Sequence, residues 1–220
     1  MSELPVTSQR IVAEGVGSAL LLATVVGSGI MAERLAGGNV AVALLGNTIA
    51  TGAMLVCLIL MFGRISGAHF NPVVTLFLGD RQDFSASLIS SYILAQLVGA
   101  LFGVLVAHAM FDLPLLQMSI HERAGPAQWF SEFVATFGLV LTIIGVGRSR
   151  AEAIPVAVGL YITAAYWFTA STSFANPAVT VARALTDSFS GIRLMDAPGF
   201  ILAQLAGGFV AARFGRFLFR

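Results

Sequence analysis

Two five-residue strings, Asn71-Pro72-Val73-Val74-Thr75 and Asn176-Pro177-Ala178-Val179-Thr180, carry the clearest chemistry in this chain. Asn followed by Pro starts a helix: the Asn side-chain oxygen accepts from free backbone N–H groups, and Pro, with fixed φ and no N–H, fits the first helical position. With that oxygen committed, each carboxamide has only N–H donors to offer a solute. A helix amino end also concentrates roughly +0.5 elementary charge. Two such ends brought together would attract the oxygen of a neutral molecule and repel a cation. This is recognition chemistry, in which no bond is made or broken.

The elements that must position these strings belong to a membrane. With 57% hydrophobic and 10% charged residues and a mean hydropathy of +0.89, the chain reads as an integral membrane protein. Lys is absent and the formal net charge is +1, so no basic tract exists for nucleic acid. Cys57 is the only cysteine, which excludes an intrachain disulfide and a multi-cysteine metal site. No cofactor and no metal are expected. The polar start is too short for a cleaved secretory signal, so the first apolar span is itself expected to act as the membrane signal.

A helix needs about 20 apolar residues to cross the hydrocarbon. Six such spans are predicted, at roughly 10–33, 40–62, 86–110, 128–147, 151–170 and 196–215. Both Asn-Pro strings fall outside them. Each is followed by only about 8–10 helix-compatible residues before Gly79-Asp80-Arg81 or Asp187-Ser188, half a membrane thickness at about 1.5 Å per residue. They are predicted to be half-helices entering from opposite sides.

Opposite entry follows from an internal repeat. Glu14 to Gly29 aligns with Glu132 to Gly147, the Asn-Pro strings align 176 − 71 = 105 residues apart, and Ala95-Gln96-Leu97-x-Gly99 aligns with Ala203-Gln204-Leu205-x-Gly207. Each repeat, about 10–110 and about 128–215, holds three spans. The second copy is therefore inverted, and the half-helices meet head to head near the midplane. The whole of 1–220 reads as a single all-α membrane channel domain: six transmembrane helices plus two half-helices in two inverted repeats.

Cytoplasmic flanks carry excess positive charge. With the N-terminus inside, Arg10, Arg64, Arg81, Arg148, Arg150, Arg213, Arg216 and Arg220 are cytoplasmic, against Arg34, Arg123, Arg183 and Arg193 outside, eight against four. Both termini are expected in the cytoplasm, the membrane being a bacterial inner (plasma) membrane. Trp129 and Trp167 then fall near the external interface.

Ser66-Gly67-Ala68-His69-Phe70-Asn71-Pro72-Val73-Val74-Thr75, the second Asn-Pro-Ala box, a Glu in the first span of each half and the Gln-x-x-Gly pairs together resemble the aquaporin (major intrinsic protein) channel family, over essentially the whole chain. The resemblance implies a bundle with one pore per subunit, a homotetramer, and a passive channel rather than an enzyme. It also implies a four-residue constriction, placed by offsets from the Asn residues: Thr51 twenty before Asn71, Ala164 twelve before Asn176, and Ser173 and Val179 three on either side of Asn176. Val179 stands where most of the family has Arg. Val73 replaces the usual Ala and is expected to pack behind its half-helix. Four small, uncharged residues predict a wide constriction, passing water and small neutral solutes: polyols such as glycerol, urea, and undissociated metalloid acids such as arsenite. The alternatives are a water-selective aquaporin and a secondary transporter with inverted repeats. The midplane offers two neutral amides and no carboxylate pair, which disfavours the transporter.

Arg183 stands one turn beyond Val179. It either reaches the vestibule and partly replaces the missing Arg, or snorkels to headgroups or pairs with Asp187. Glu14 and Glu132, ionisable residues inside spans, are expected to accept hydrogen bonds from the irregular loops feeding the half-helices rather than to relay protons. His69 is expected to brace the first of those loops rather than line the pore. Gly99-x-x-x-Gly103 and Gly207-x-x-x-Ala211 predict close helix crossings. Cys57 should point away from Thr51.

Overall fold

The computed structural model describes residues 6–79 and 84–219, and its described residues are helical with no strand. Asp80 and Arg81 of the expected turn, and Arg220, lie outside the described residues. The helices are α1 (Thr7–Leu35), α2 (Val40–Ser66), α3 (Pro72–Leu78), α4 (Ala86–Met110), α5 (Pro126–Ser149), α6 (Ile154–Phe168), α7 (Pro177–Arg183) and α8 (Ala197–Leu218). Short 3₁₀ turns, Ala151–Ala153 and Leu194–Asp196, lead into α6 and α8. Six helices are long and apolar enough to cross a membrane, and α3 and α7 are the two short ones.

Local chemistry sets the boundaries. Asn39 caps α2 by accepting from Ala41 N and Val42 N at 3.1 and 3.2 Å, and Gly67, at φ 88°, ends it in the left-handed conformation that glycine tolerates. Ser85 caps α4 by accepting from Leu88 N at 3.2 Å. The half-helices are seven residues each, shorter than the spacing predicts. After α7, Ala184 N donates to Val181 O and Leu185 N to Ala182 O, a tightened last turn that stops the helix before Asp187.

The repeat is visible in the packing. α1 packs along α4, and α5 along α8; each half-helix touches the last span of its own repeat and that of the other. A Cβ at Gly99 or Gly103 would run into the carbonyls of Gly15 or Ala19, and one at Gly207 into the carbonyl of Phe133. Small residues thus let paired backbones approach as membrane helices do. Val73 is buried with Val140, Ala211 and Ala212 of the other repeat, behind α3 and outside the lining of the central cavity.

Candidate functional site: the central pore

The amino ends of α3 and α7 meet. Asn71 Oδ1 accepts from Val73 N at 2.9 Å, and Asn176 Oδ1 accepts from Ala178 N and Val179 N at 2.9 and 3.3 Å, with Pro72 and Pro177 at the helix starts. The two loops are then stitched reciprocally. Asn71 Nδ2 donates to Ala175 O and Asn176 Nδ2 to Phe70 O, both at 2.8 Å. Each carboxamide therefore spends its oxygen on its own helix and one N–H on the opposite loop, which leaves one N–H per Asn for a solute.

Holding this arrangement is costly for the backbone. Ala68 and Phe70 before the first box, and Ser173 and Ala175 before the second, sit at φ 52°, 46°, 50° and 49°. Non-glycine residues in this region cost on the order of 1–3 kcal/mol each. The buried Glu residues supply the compensation. Glu14 Oε1 accepts from Ser66 Oγ (2.6 Å) and His69 N (2.9 Å), while Oε2 accepts from Phe70 N and Gln96 Nε2, both 2.7 Å. Glu132 repeats the pattern, accepting from Phe174 N and Ala175 N at 2.8 Å and from Gln204 Nε2 at 2.6 Å. The same glutamines donate at 2.9 Å to Thr75 and Thr180, whose hydroxyls donate to Asn71 O and Asn176 O.

Around these ends lies a cavity of about 220 Å³. Its wall comes from i, i+4 stripes: Leu21 and Val25 of α1, Thr51, Leu55 and Ile59 of α2, Leu139 and Ile143 of α5, and Val158, Ile162 and Tyr166 of α6. Its polar side comes from the loops, including both Asn residues and Ser173. From Ile154 to Tyr166 is 166 − 154 = 12 residues of α6, about 18 Å of depth at 1.5 Å per residue. An apolar wall facing one polar track lets a solute exchange hydrogen bonds along one side only.

The family model "Major intrinsic protein" matches residues 2–169 and 147–219. The chain belongs to the major intrinsic protein family. This is a family of channels, not enzymes. The chain is 55% identical over 218 residues, 99% of its length and 93% of the relative's, to the aquaglyceroporin AqpS of Rhizobium meliloti. It is 28% identical over 233 residues, 93% of its length and 95% of the relative's, to the aquaporin AqpM of Methanothermobacter marburgensis. Its fold matches the X-ray structure of the aquaglyceroporin from Plasmodium falciparum with a TM-score of 0.70 at 20% identity, covering 95% of each chain.

Within this major intrinsic protein, Thr51, Ser173 and Val179 border one end of the cavity, and Ala164 does not: it is exposed on the outer face of α6. The residue of α6 that faces Thr51 is Tyr166, whose O–H donates to Thr51 Oγ1 at 3.5 Å. Two residues along a helix are about 200° apart, so the two positions face opposite ways. Where the offsets from the Asn residues predict the small Ala164, the α6 side chain in the cavity lining beside Thr51 is thus an aromatic. Arg183 also borders the cavity, buried, with Nε donating to Ser190 O and its guanidinium carbon 3.4 Å from the Phe174 ring centroid. It makes no pair with Asp187, which lies 3.8 Å from His121.

His69 does both things considered for it. Its Nδ1 lies 3.1 Å from Thr75 Oγ1, its ring stacks on Phe84, and it borders the cavity as well. His108 is fully buried, with Nδ1 2.8 Å from Leu115 O and Nε2 2.8 Å from Thr186 Oγ1, fastening α4 to the segment after α7. Arg123 ties two further segments together, donating to Gly191 O at 2.7 Å and Ser171 O at 3.2 Å, and its burial lowers the guanidinium pKa from the ordinary value. Cys57 is exposed and takes no part in the cavity lining. Gln96, Gln204 and Tyr166 were not singled out from sequence as site residues. The glutamines were marked by the repeat, but Tyr166 carried no such signal.

Proposed function

We propose that the protein is a passive channel for small neutral solutes: glycerol-like polyols, urea and undissociated metalloid acids such as arsenite, with water. The observation that carries this is the pair of half-helix amino ends, each offering one free Asn N–H beside a cavity with apolar walls. A neutral solute accepts those hydrogen bonds, while a cation meets positive potential on top of its desolvation. The naming of the Rhizobium meliloti relative as an aquaglyceroporin supports the solute class. The arginine distribution supports cytoplasmic termini in a bacterial inner membrane, and the family resemblance supports a homotetramer.

Stopped-flow swelling of proteoliposomes tests this. Glycerol, urea and arsenite should each cross faster than in empty vesicles, with a rate linear in concentration. The second reading, a water-selective aquaporin, is favoured by Tyr166 and Arg183 at the same end of the cavity; it predicts that only water crosses. A flux that saturates or needs an ion gradient would favour a transporter.

A further inference from the structure

The half-helix α7 stops before it can leave the bilayer. From Asn176, where the two amino ends meet, to Ala184 at its stop is 184 − 176 = 8 residues, about 12 Å at 1.5 Å per residue, while the hydrocarbon reaches about 15 Å to either side of the midplane. Lipid cannot bond the carbonyls left over at such an end, so protein has to. The segment between α4 and α5 supplies part of that closure. Ser119 N donates to Ala184 O at 3.0 Å, Ile120 N to Asp187 Oδ1 at 3.0 Å, and Asp187 N to Gln117 Oε1 at 3.3 Å.

Residues 116–120 lie in no helix or strand, and their side chains alternate. Gln117 and the buried Ser119 turn toward the end of α7, whereas Leu116, Met118 and Ile120 are 72%, 56% and 75% exposed. Three large apolar side chains on one edge suit hydrocarbon, not water. This strap is slung between two spans. At its start His108 Nδ1 of α4 lies 2.8 Å from Leu115 O, and past its end Arg193 N, just before the turn that leads into α8, donates to His121 O at 2.8 Å. α7 itself packs against both α4 and α8. The exposed ridge therefore continues the outward apolar surface of the two spans, carried by Phe102 and Met110 on α4 and by Met195 and Leu202 at the start of α8. After Ile120 the chain turns polar, with Glu122 meeting Arg193 at 3.3 Å, as suits the step from hydrocarbon to headgroups.

We infer that residues 116–120 form a lipid-contacting strap, with Leu116, Met118 and Ile120 against phospholipid acyl chains just below the headgroups of the leaflet into which α7 points. Its amides close the end of α7 and its apolar edge shields that end from lipid. The inference goes beyond the channel reading, because the partner is the bilayer whatever solute crosses.

A nitroxide label reads the depth of the strap. On a Cys57→Ser background, Met118→Cys, Ile120→Cys, Leu202→Cys and Glu122→Cys are each labelled in phosphatidylcholine–phosphatidylglycerol vesicles. Collisions with oxygen, which concentrates in hydrocarbon, are compared with collisions with a neutral, water-soluble nickel chelate. Labels at positions 118 and 120 should behave like the label at 202, with an oxygen-to-chelate collision ratio severalfold above that at 122. A ratio at 118 and 120 equal to that at 122 places the strap in water and overturns the inference. Weak collisions with both reagents place it under protein, such as a second copy of the chain, and overturn it as well. The readout needs no solute flux, so its failure is separate from failure of the channel reading.

Discussion

Glu132→Gln is the sharpest perturbation of the pore scaffold. Glu132 Oε1 accepts from Phe174 N, and Oε2 from Ala175 N and Gln204 Nε2. A carboxamide of nearly the same shape has one oxygen. In its better orientation it keeps the two bonds at Oε2 and turns an NH₂ group toward the Phe174 N–H. One buried donor is then orphaned at about 1–3 kcal/mol, and two bonds lose their charge assistance at about 1 kcal/mol each, about 3–5 kcal/mol together. For a chain of this size that lowers the melting midpoint by about 6–20 °C. The loss also reaches the other repeat, because Ala175 O holds Asn71 Nδ2. Thermal unfolding in detergent and glycerol permeability in proteoliposomes should fall together. Gln204→Met removes two donated bonds, to Glu132 Oε2 and Thr180 Oγ1, but leaves the carboxylate and both loop amides paired, and should fall less. If Glu132→Gln melts within about 2 °C of wild type and conducts normally, the buried carboxylate does not hold the loop.

Two further outcomes follow from the packing. Gly99→Val places a Cβ against the Gly15 carbonyl and should lower the melting midpoint by several degrees, about 2 kcal/mol or more, whereas Gly63→Ala, where a Cβ meets nothing within 4 Å, should leave it unchanged or raise it. A membrane-impermeant mercurial at Cys57, exposed and away from the cavity, should leave glycerol permeability unchanged; inhibition that disappears in Cys57→Ser would place it on the solute path.

The parts of the pore that were legible in sequence are those set by local chemistry or written twice. Asn71 and Asn176 cap their own helices within three residues, so their role is local, and the repeat doubled the signal for Glu14 and Glu132. The same doubling marked Gln96 and Gln204 as a pair. It could not say that they donate to those carboxylates, because 82 and 72 residues separate the partners. Ala164 failed for a different reason. Counting twelve back from Asn176 assumes a fixed length for the segment joining α6 to α7, and here α6 runs to Phe168 with its cavity stripe at Val158, Ile162 and Tyr166. Periodicity offers no remedy on such a helix, since a pore wall and a lipid-facing surface are both apolar and no polar stripe distinguishes them. Only polar side chains break that degeneracy, and Arg183 shows the limit even there. Its one-turn relation to Val179 was readable, but lipid interface and pore satisfied it equally. What directs it inward is Phe174, and the Phe174 backbone is itself held by Glu132 from another helix. A charge four residues past a pore residue therefore becomes a pore residue only through a contact that no spacing along the chain encodes.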